Sequence, residues 1–278
     1  MTTLAGKTLI MSGGSRGIGE AIALRAARDG ANVALIAKTT EPHPKLPGTI
    51  YTAAKAIEEA GGKALPIVGD IRDDEAVRAA VEQAAERFGG IDIVVNNASA
   101  IDLTPTEAVS MKRYDLMQDI NARGSFLLSK LAIPYLRKAA NAHILTLSPP
   151  ISLEEKWFTS GALAYSIAKY SMSLVTVGLS AELRAHGIAA NSLWPRTTID
   201  TAAVRNVIGE EVAQRSRKPE IMADAAHAIL TKPSAEVTGN FFIDDEVLAA
   251  EGVTDFARYR LGGSEEDLEL DIWVDRRR

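Results

Sequence analysis

Short apolar runs alternate along this chain with longer stretches in which apolar residues recur every three or four positions. The runs at residues 8–12, 32–36, 64–68, 91–95, 142–147, 188–193 and 240–243 read as strands. Residues 17–29, 51–60, 73–88, about 114–139 and 162–185 read as helices. Gly30 and the pair Gly61 and Gly62 stand where helices end, and Asp73 where one begins. The strands are apolar almost throughout, without a polar face. That pattern belongs to strands buried on both sides in a parallel sheet between helix layers. We therefore expect an α/β fold, a doubly wound, mostly parallel seven-stranded sheet in one domain over residues 1–250. Residues 251–278 read as an acidic tail, flexible in part around 262–267.

Two stretches break the rhythm. Residues 39–48 hold three prolines and a glycine and read as a loop. Residues 195–217 are polar and irregular, as expected of a mobile segment over a site.

Composition narrows the chemistry. The 278 residues are 46% hydrophobic, enough for a sizeable core, and the net charge of −5 gives no reason to expect a nucleic-acid partner. There is no cysteine, which excludes disulfides, thiolate metal sites and cysteine nucleophiles. The four histidines are scattered, so no metal site is expected. No run approaches the ~18 apolar residues of a membrane span, and the N-terminus lacks an apolar leader. The expectation is a cytoplasmic protein with no membrane span, acting on a small molecule.

The sequence Ser12-Gly13-Gly14-Ser15-Arg16-Gly17-Ile18-Gly19 joins the first strand to the first helix. Glycines there permit a tight turn, a close approach to a pyrophosphate, and close packing of helix on strand. Free N–H groups at the helix start then favour an anion. A bare tight turn would need no more than this, but the position at the first β-α junction points to a dinucleotide. Enzymes that use NAD place an acidic residue about 20 positions on, where it accepts from the ribose 2′-hydroxyl. Here the second strand ends in Ala37-Lys38-Thr39-Thr40, with no carboxylate. Lys38 and Arg16 attract a 2′-phosphate, so NADP(H) is the expected cofactor.

Tyr165 and Lys169 lie four apart near the start of a predicted helix and so share one face. A tyrosine titrates near ~10, and one ammonium about 4 Å away supplies ~4 kcal/mol, enough to bring it near neutrality. Tyr165 is then a candidate general acid for carbonyl reduction and a base in reverse.

The spacing of the glycine turn, the Asn96-Asn97-Ala98-Ser99 that ends the fourth strand, and Tyr165-x-x-x-Lys169 together resemble the short-chain dehydrogenase/reductase family. The resemblance implies a Rossmann fold and a homotetramer or homodimer. It implies that Asp70 meets the adenine, that Asn97 and Ala98 line the cofactor site, and that Pro195 and Thr198 flank the nicotinamide. It also makes Asn121 an aid to Lys169. A narrower likeness rests on residues 38–54, the run His143 to Pro150, Trp194-Pro195 and the run Thr238 to Asp244. It is to a group whose members often carry a C-terminal sterol-carrier-like domain, before which this chain stops. That group suggests a lipid-like or acyl-CoA substrate.

The chain departs from the family in three places. Ser99 stands where a glycine is usual. Arg196 follows Pro195 where a glycine is usual, which puts a cation in reach of an acidic substrate. Pro149 stands where the catalytic serine is usual. Three readings of that last change stay open. Ser148 reaches the site, Ser152 does so, or the reaction is an enoyl-thioester reduction that needs no serine. Ser148 is taken as the candidate. A nucleotide-binding scaffold with little turnover is the expectation of another class.

Overall fold

The computed structural model describes residues 3–42, 48–159 and 161–276. Residues 43–47, the centre of the expected loop, lie outside the described residues.

Seven strands form one sheet: β1 (Thr8–Ser12), β2 (Asn32–Ala37), β3 (Lys63–Val68), β4 (Ile93–Asn96), β5 (Ala142–Thr146), β6 (Ile188–Trp194) and β7 (Phe241–Ile243). Their order is β3-β2-β1-β4-β5-β6-β7 and every pairing is parallel. The helices are α1 (Gly17–Ala27), α2 (Ile50–Glu59), α3 (Asp74–Phe88), α4 (Met111–Met117), α5 (Gly124–Leu136), α6 (Leu163–Leu183), α7 (Glu210–Gln214), α8 (Glu220–Leu230) and α9 (Asp244–Ala250). Residues alternate faces along each strand. Leu9, Met11, Val33 and Leu35 pack into one core with α1, α2 and α8, while Ile10, Ala34, Ile36 and Val94 pack into the other with α3, α5 and α6. Two buried faces explain the unbroken apolar strands.

The chain runs outward from β1 through β2 to β3, then returns to β4 beside β1. That reversal leaves a crevice at the carboxyl ends of β1 and β4, the usual ligand position in such sheets.

Three expectations change. The single helix expected over 114–139 is α4 and α5 joined by a π-helical turn at Gln118–Arg123. Asn121 sits in that turn, with its amide oxygen accepting from Ala100 N–H at 2.7 Å and its amide nitrogen donating to Ala100 O at 3.0 Å. Ser125 Oγ also donates to Asn121 O, at 2.6 Å, and a side chain that enters the helical hydrogen-bond ladder is a recognised cause of its distortion. The segment 195–217 is not irregular throughout: it holds a π-helical turn at Val204–Ile208 and α7.

The tail is the third change. Residues 262–267 are exposed, but Leu268, Trp273 and Val274 are buried. Leu270 pairs antiparallel with Thr197. The apolar side chains of the tail cover Trp194 and Tyr165, and burying a tryptophan is among the larger gains a short segment can make.

Candidate active site

The carboxyl ends of the strands open into a cleft of about 710 Å³. The glycine turn and Lys38 line one part of it, and Tyr165, Lys169, Trp194 and Pro195 another.

The glycine turn is built by steric necessity. Gly13, Gly14 and Gly17 have φ of +78°, +91° and +61°, which side chains resist. A Cβ on Gly19 would stand 2.5 Å from Asn97 Nδ2 and 2.8 Å from Gly14 Cα. Asn97 Nδ2 in turn donates to Ser12 O at 3.1 Å, and Ser12 Oγ accepts from the N–H groups of Asn97 and Ala98 at 3.2 and 3.1 Å. So Asn97 and Ala98 tie β4 to β1 beneath the turn. Thr49 caps α2 and Asp73 caps α3, whereas α1 starts at Arg16 without a side-chain cap. Its first N–H groups are left for an anion. This donor set and the glycine cradle fit a pyrophosphate. Ser15 and Ile18 line the same wall.

At the end of β2, Lys38 Nζ lies 3.1 Å from Asp70 Oδ2 and is more than half exposed. Arg72 also grips Asp70, at 2.6 Å. Arg72 first, and Lys38 after it, hold the Asp70 carboxyl well below the usual carboxylate range. Two cations and one carboxylate leave this corner net positive. Arg16 Nη2 reaches Gly48 O at 3.4 Å. Sequence reading did not single out Arg72.

Tyr165 and Lys169 stand on α6, at 7% and 3% exposure. Lys169 Nζ donates to Leu147 O at 2.6 Å and lies 4.9 Å from the Trp194 ring centre. Burial lowers its ammonium to about 7, against the pull of Asp271. Burial raises the Tyr165 phenol, Asp271 adds to the rise, and a hydrogen bond with the Ser99 hydroxyl opposes it. The expected lowering by Lys169 is therefore absent here. Burial and the Asp271 carboxylate both disfavour the tyrosinate. Asn121 is buried beside α6 but spends its amide on Ala100.

Ser148 is not brought to the site. Its hydroxyl is fully buried and lies 2.8 Å from Ser192 Oγ, which donates to Thr176 Oγ1. Ser152 is half-buried, bonded to Glu154, and does not line the cleft. Pro149 O accepts from Ser173. The end of β5 thus offers the cleft no hydroxyl. Ser148→Ala should leave turnover within about threefold of wild type and cost about 1 kcal/mol of stability, a neutral hydrogen bond's worth. A hundredfold loss of kcat would return Ser148 to the chemistry.

Pro195 and Thr198 line the cleft, with Thr198 Oγ1 2.7 Å from Ser216 Oγ. Arg196 does not face it. Its guanidinium is buried against Asp245 and Glu246 and donates to Asp275 O, so it fastens the tail rather than meeting a substrate. Sequence reading missed Asp271 and Ile272, which line the cleft from the tail. The apolar spacing of Leu268, Leu270, Ile272 and Trp273 was the available signal.

Among the described residues there is no cluster able to hold a metal ion, and no helix is long and apolar enough to cross a membrane.

A family model described as short chain dehydrogenase matches residues 7–211. Proteins named hydroxysteroid dehydrogenase-like protein 2 are 58% identical in Xenopus laevis and 53% in Homo sapiens, each over 93% of this chain. The chain spans 61% of the length of those relatives. Among solved structures, a putative dehydrogenase from Xanthomonas campestris superposes with a TM-score of 0.93 at 53% identity, covering 99% of this chain and 100% of its own. A short chain dehydrogenase from Mycobacterium thermoresistibile gives 0.92 at 59% identity, covering 98% and 96%.

Proposed function

We propose, from the premise that this chain belongs to the short-chain dehydrogenase family, that it is an NADP(H)-dependent oxidoreductase. It reduces a carbonyl of a lipid-like or acyl substrate, or oxidises the corresponding alcohol. The observation that carries this reading is one cleft holding the glycine cradle, the positive corner at Lys38, and the buried pair Tyr165 and Lys169.

The nicotinamide, when bound, supplies or takes the hydrogen and electron pair that the reaction exchanges. The rest falls to the chain. The glycine turn and the start of α1 hold the pyrophosphate. Lys38 and Arg16 bind the 2′-phosphate. Tyr165 gives its phenol proton to the substrate oxygen. Lys169, when charged, stabilises the phenolate that remains, and its bond to Leu147 O fixes where it stands. Pro195 and Thr198 bound the nicotinamide end, and Trp194 walls the pocket. Ile101, Leu103, Ile120, Val204, Ile208 and Val212 give the cleft an apolar lining suited to an acyl chain. The turning of Ser148 away from the cleft favours a second reading, enoyl-thioester reduction, in which no hydroxyl at β5 is needed.

Fluorescence titration with NADPH and with NADH tests the cofactor. NADPH should bind the more tightly. Lys38→Glu should weaken NADPH about 10- to 100-fold, the worth of one charge-assisted bond, and change NADH little. Equal affinities for both nucleotides in the wild type would refute NADP(H) selection, and binding of neither would leave the scaffold reading in its place.

A further inference from the structure

The C-terminal segment brings a carboxyl group into the cleft that holds Tyr165 and Lys169. Glu269, Leu270, Asp271 and Ile272 line the same cleft as Tyr165 and Lys169. Backbone ties hold the segment down on both sides of Asp271. Thr198 N–H donates to Glu269 O at 2.9 Å, Asp271 N–H donates to Arg196 O at 3.0 Å, and Trp194 Nε1 donates to Ile272 O at 2.9 Å.

Trp273 locks the end of this strap. Its ring centre lies 5.8 Å from that of Tyr165, 5.4 Å from Tyr170 and 5.5 Å from Trp194. Its backbone has φ +67°, the left-handed region, which costs a large side chain of order 1–3 kcal/mol. Strain of that size persists only where the surroundings over-determine the conformation, and three aromatic neighbours do so here. The result is a carboxyl group held in the same cleft as the tyrosine and lysine, its Oδ1 accepting from Ile272 N–H at 2.7 Å, in a site whose fifth strand offers no hydroxyl.

We propose that Asp271 is a further catalytic residue of this site, a hydrogen-bond donor that acts with Tyr165 on the substrate oxygen. The proposal rests on the dehydrogenase reading above. The titratable groups that bear on it are Tyr165 and Lys169 from α6 and the buried Asp244 from α9. Burial raises the Asp271 carboxyl to about 7, with Asp244 adding to the rise and Lys169 opposing it. Below that pH the group is a neutral acid with an O–H to donate. Above it the group is a carboxylate, which repels both the developing alkoxide and the Tyr165 phenolate.

With NADPH bound, the carbonyl carbon would take up a hydrogen with its electron pair from the nicotinamide, the reductant, and the C=O π pair would move to oxygen. That oxygen bonds the proton of the Tyr165 phenol. Asp271 keeps its own proton and hydrogen-bonds the same oxygen while the charge develops, as a donor aimed at an oxyanion does.

The test compares wild type, Asp271→Asn and Asp271→Ala in NADPH-dependent reduction of medium-chain aldehydes and ketones, from about pH 6 to about pH 9. Wild-type kcat/KM should fall as pH rises through about 7. Asn donates without a titrating proton, so Asp271→Asn should keep turnover at low pH and lose the carboxyl's part of that fall; the limb that remains is that of Lys169, moved to lower pH by the loss of the neighbouring carboxylate. Asp271→Ala loses the donor and should lower kcat about 10²-fold at low pH. A second readout needs no substrate: ultraviolet difference titration of the ligand-free protein, referenced to Tyr165→Phe. Both Asp271 substitutions should let Tyr165 ionise at lower pH, because they remove a neighbouring carboxylate. An unmoved Tyr165 titration overturns the proposal. So does an Asp271→Ala enzyme with wild-type kcat, or an Asp271→Asn enzyme with the wild-type pH limb. A wild-type protein inert to every carbonyl sinks the dehydrogenase reading instead, and the titration then decides whether Asp271 acts on Tyr165.

Discussion

Tyr165→Phe should lower kcat for carbonyl reduction about 10³-fold, the middle of the range for a positioned general acid, and leave NADPH affinity essentially unchanged. Tyr165 lies at 7% exposure among Ala162, Ala168, Trp194 and Trp273, and its ring meets Trp273 at 5.8 Å between centres. Phenylalanine keeps that ring and loses only the hydroxyl. The phenol's bond with Ser99 goes, but Ser99 is exposed to the cleft and water replaces it there. Stability should therefore move by less than about 1 kcal/mol, within the worth of one hydrogen bond. Lys169 keeps its bond to Leu147 O, since that contact does not pass through Tyr165. A kinetic loss without a binding loss marks an interaction made in the transition state. Carbonyl turnover that survives the substitution would remove Tyr165 from the mechanism. Enoyl-thioester reduction that survives while carbonyl reduction is lost would shift the reading to the second reaction.

The parts of this molecule that sequence disclosed are those whose physics is short-range. Apolar runs buried on both faces named the strands, and the sheet is parallel throughout because β-α units alternate. The glycine turn was readable because Gly13, Gly14 and Gly17 need positive φ. Tyr165 and Lys169 were readable because four residues on a helix is one turn. What escaped depends on distant pairings. Ser148 was a reasonable substitute for a serine at Pro149, but its partner Ser192 lies 44 residues on, in β6, and takes the hydroxyl away from the cleft. Arg196 sits next to the cleft in sequence, yet Asp245 and Glu246 of α9 pull it into the tail's anchorage. Asp271 lay in a tail that read only as acidic, and the packing of Trp273 against three rings, with backbone ties to Thr198 and Arg196, brings it to the cleft. Even the tyrosine's ionisation followed this division. The i, i+4 lysine was legible, but the burial that raises the phenol was not.

Gly19 tests the cofactor cradle with one added carbon. Two effects oppose each other in Gly19→Ala. Alanine is a better helix former than glycine, by roughly 0.8–1 kcal/mol. Against that, the new Cβ would stand 2.5 Å from Asn97 Nδ2 and 2.8 Å from Gly14 Cα. The first is the end of a side chain that ties β4 to Ser12 O, and the second is backbone of the turn itself. Neither can yield without moving the donors that face the pyrophosphate. Overpacking of this kind costs about 1–3 kcal/mol, and each charge-assisted bond lost to the cofactor about 1.5–3 more. The steric effect wins. NADPH affinity should fall at least about 10²-fold, with a small loss of thermal stability. Gly178 supplies the control. It also lies in a helix, α6, but a Cβ there meets nothing within 4 Å. Gly178→Ala should bind NADPH as the wild type does and gain up to about 1 kcal/mol of stability. If the two alanine variants bind NADPH equally well, the close approach of α1 to β4 is not what shapes the cofactor site.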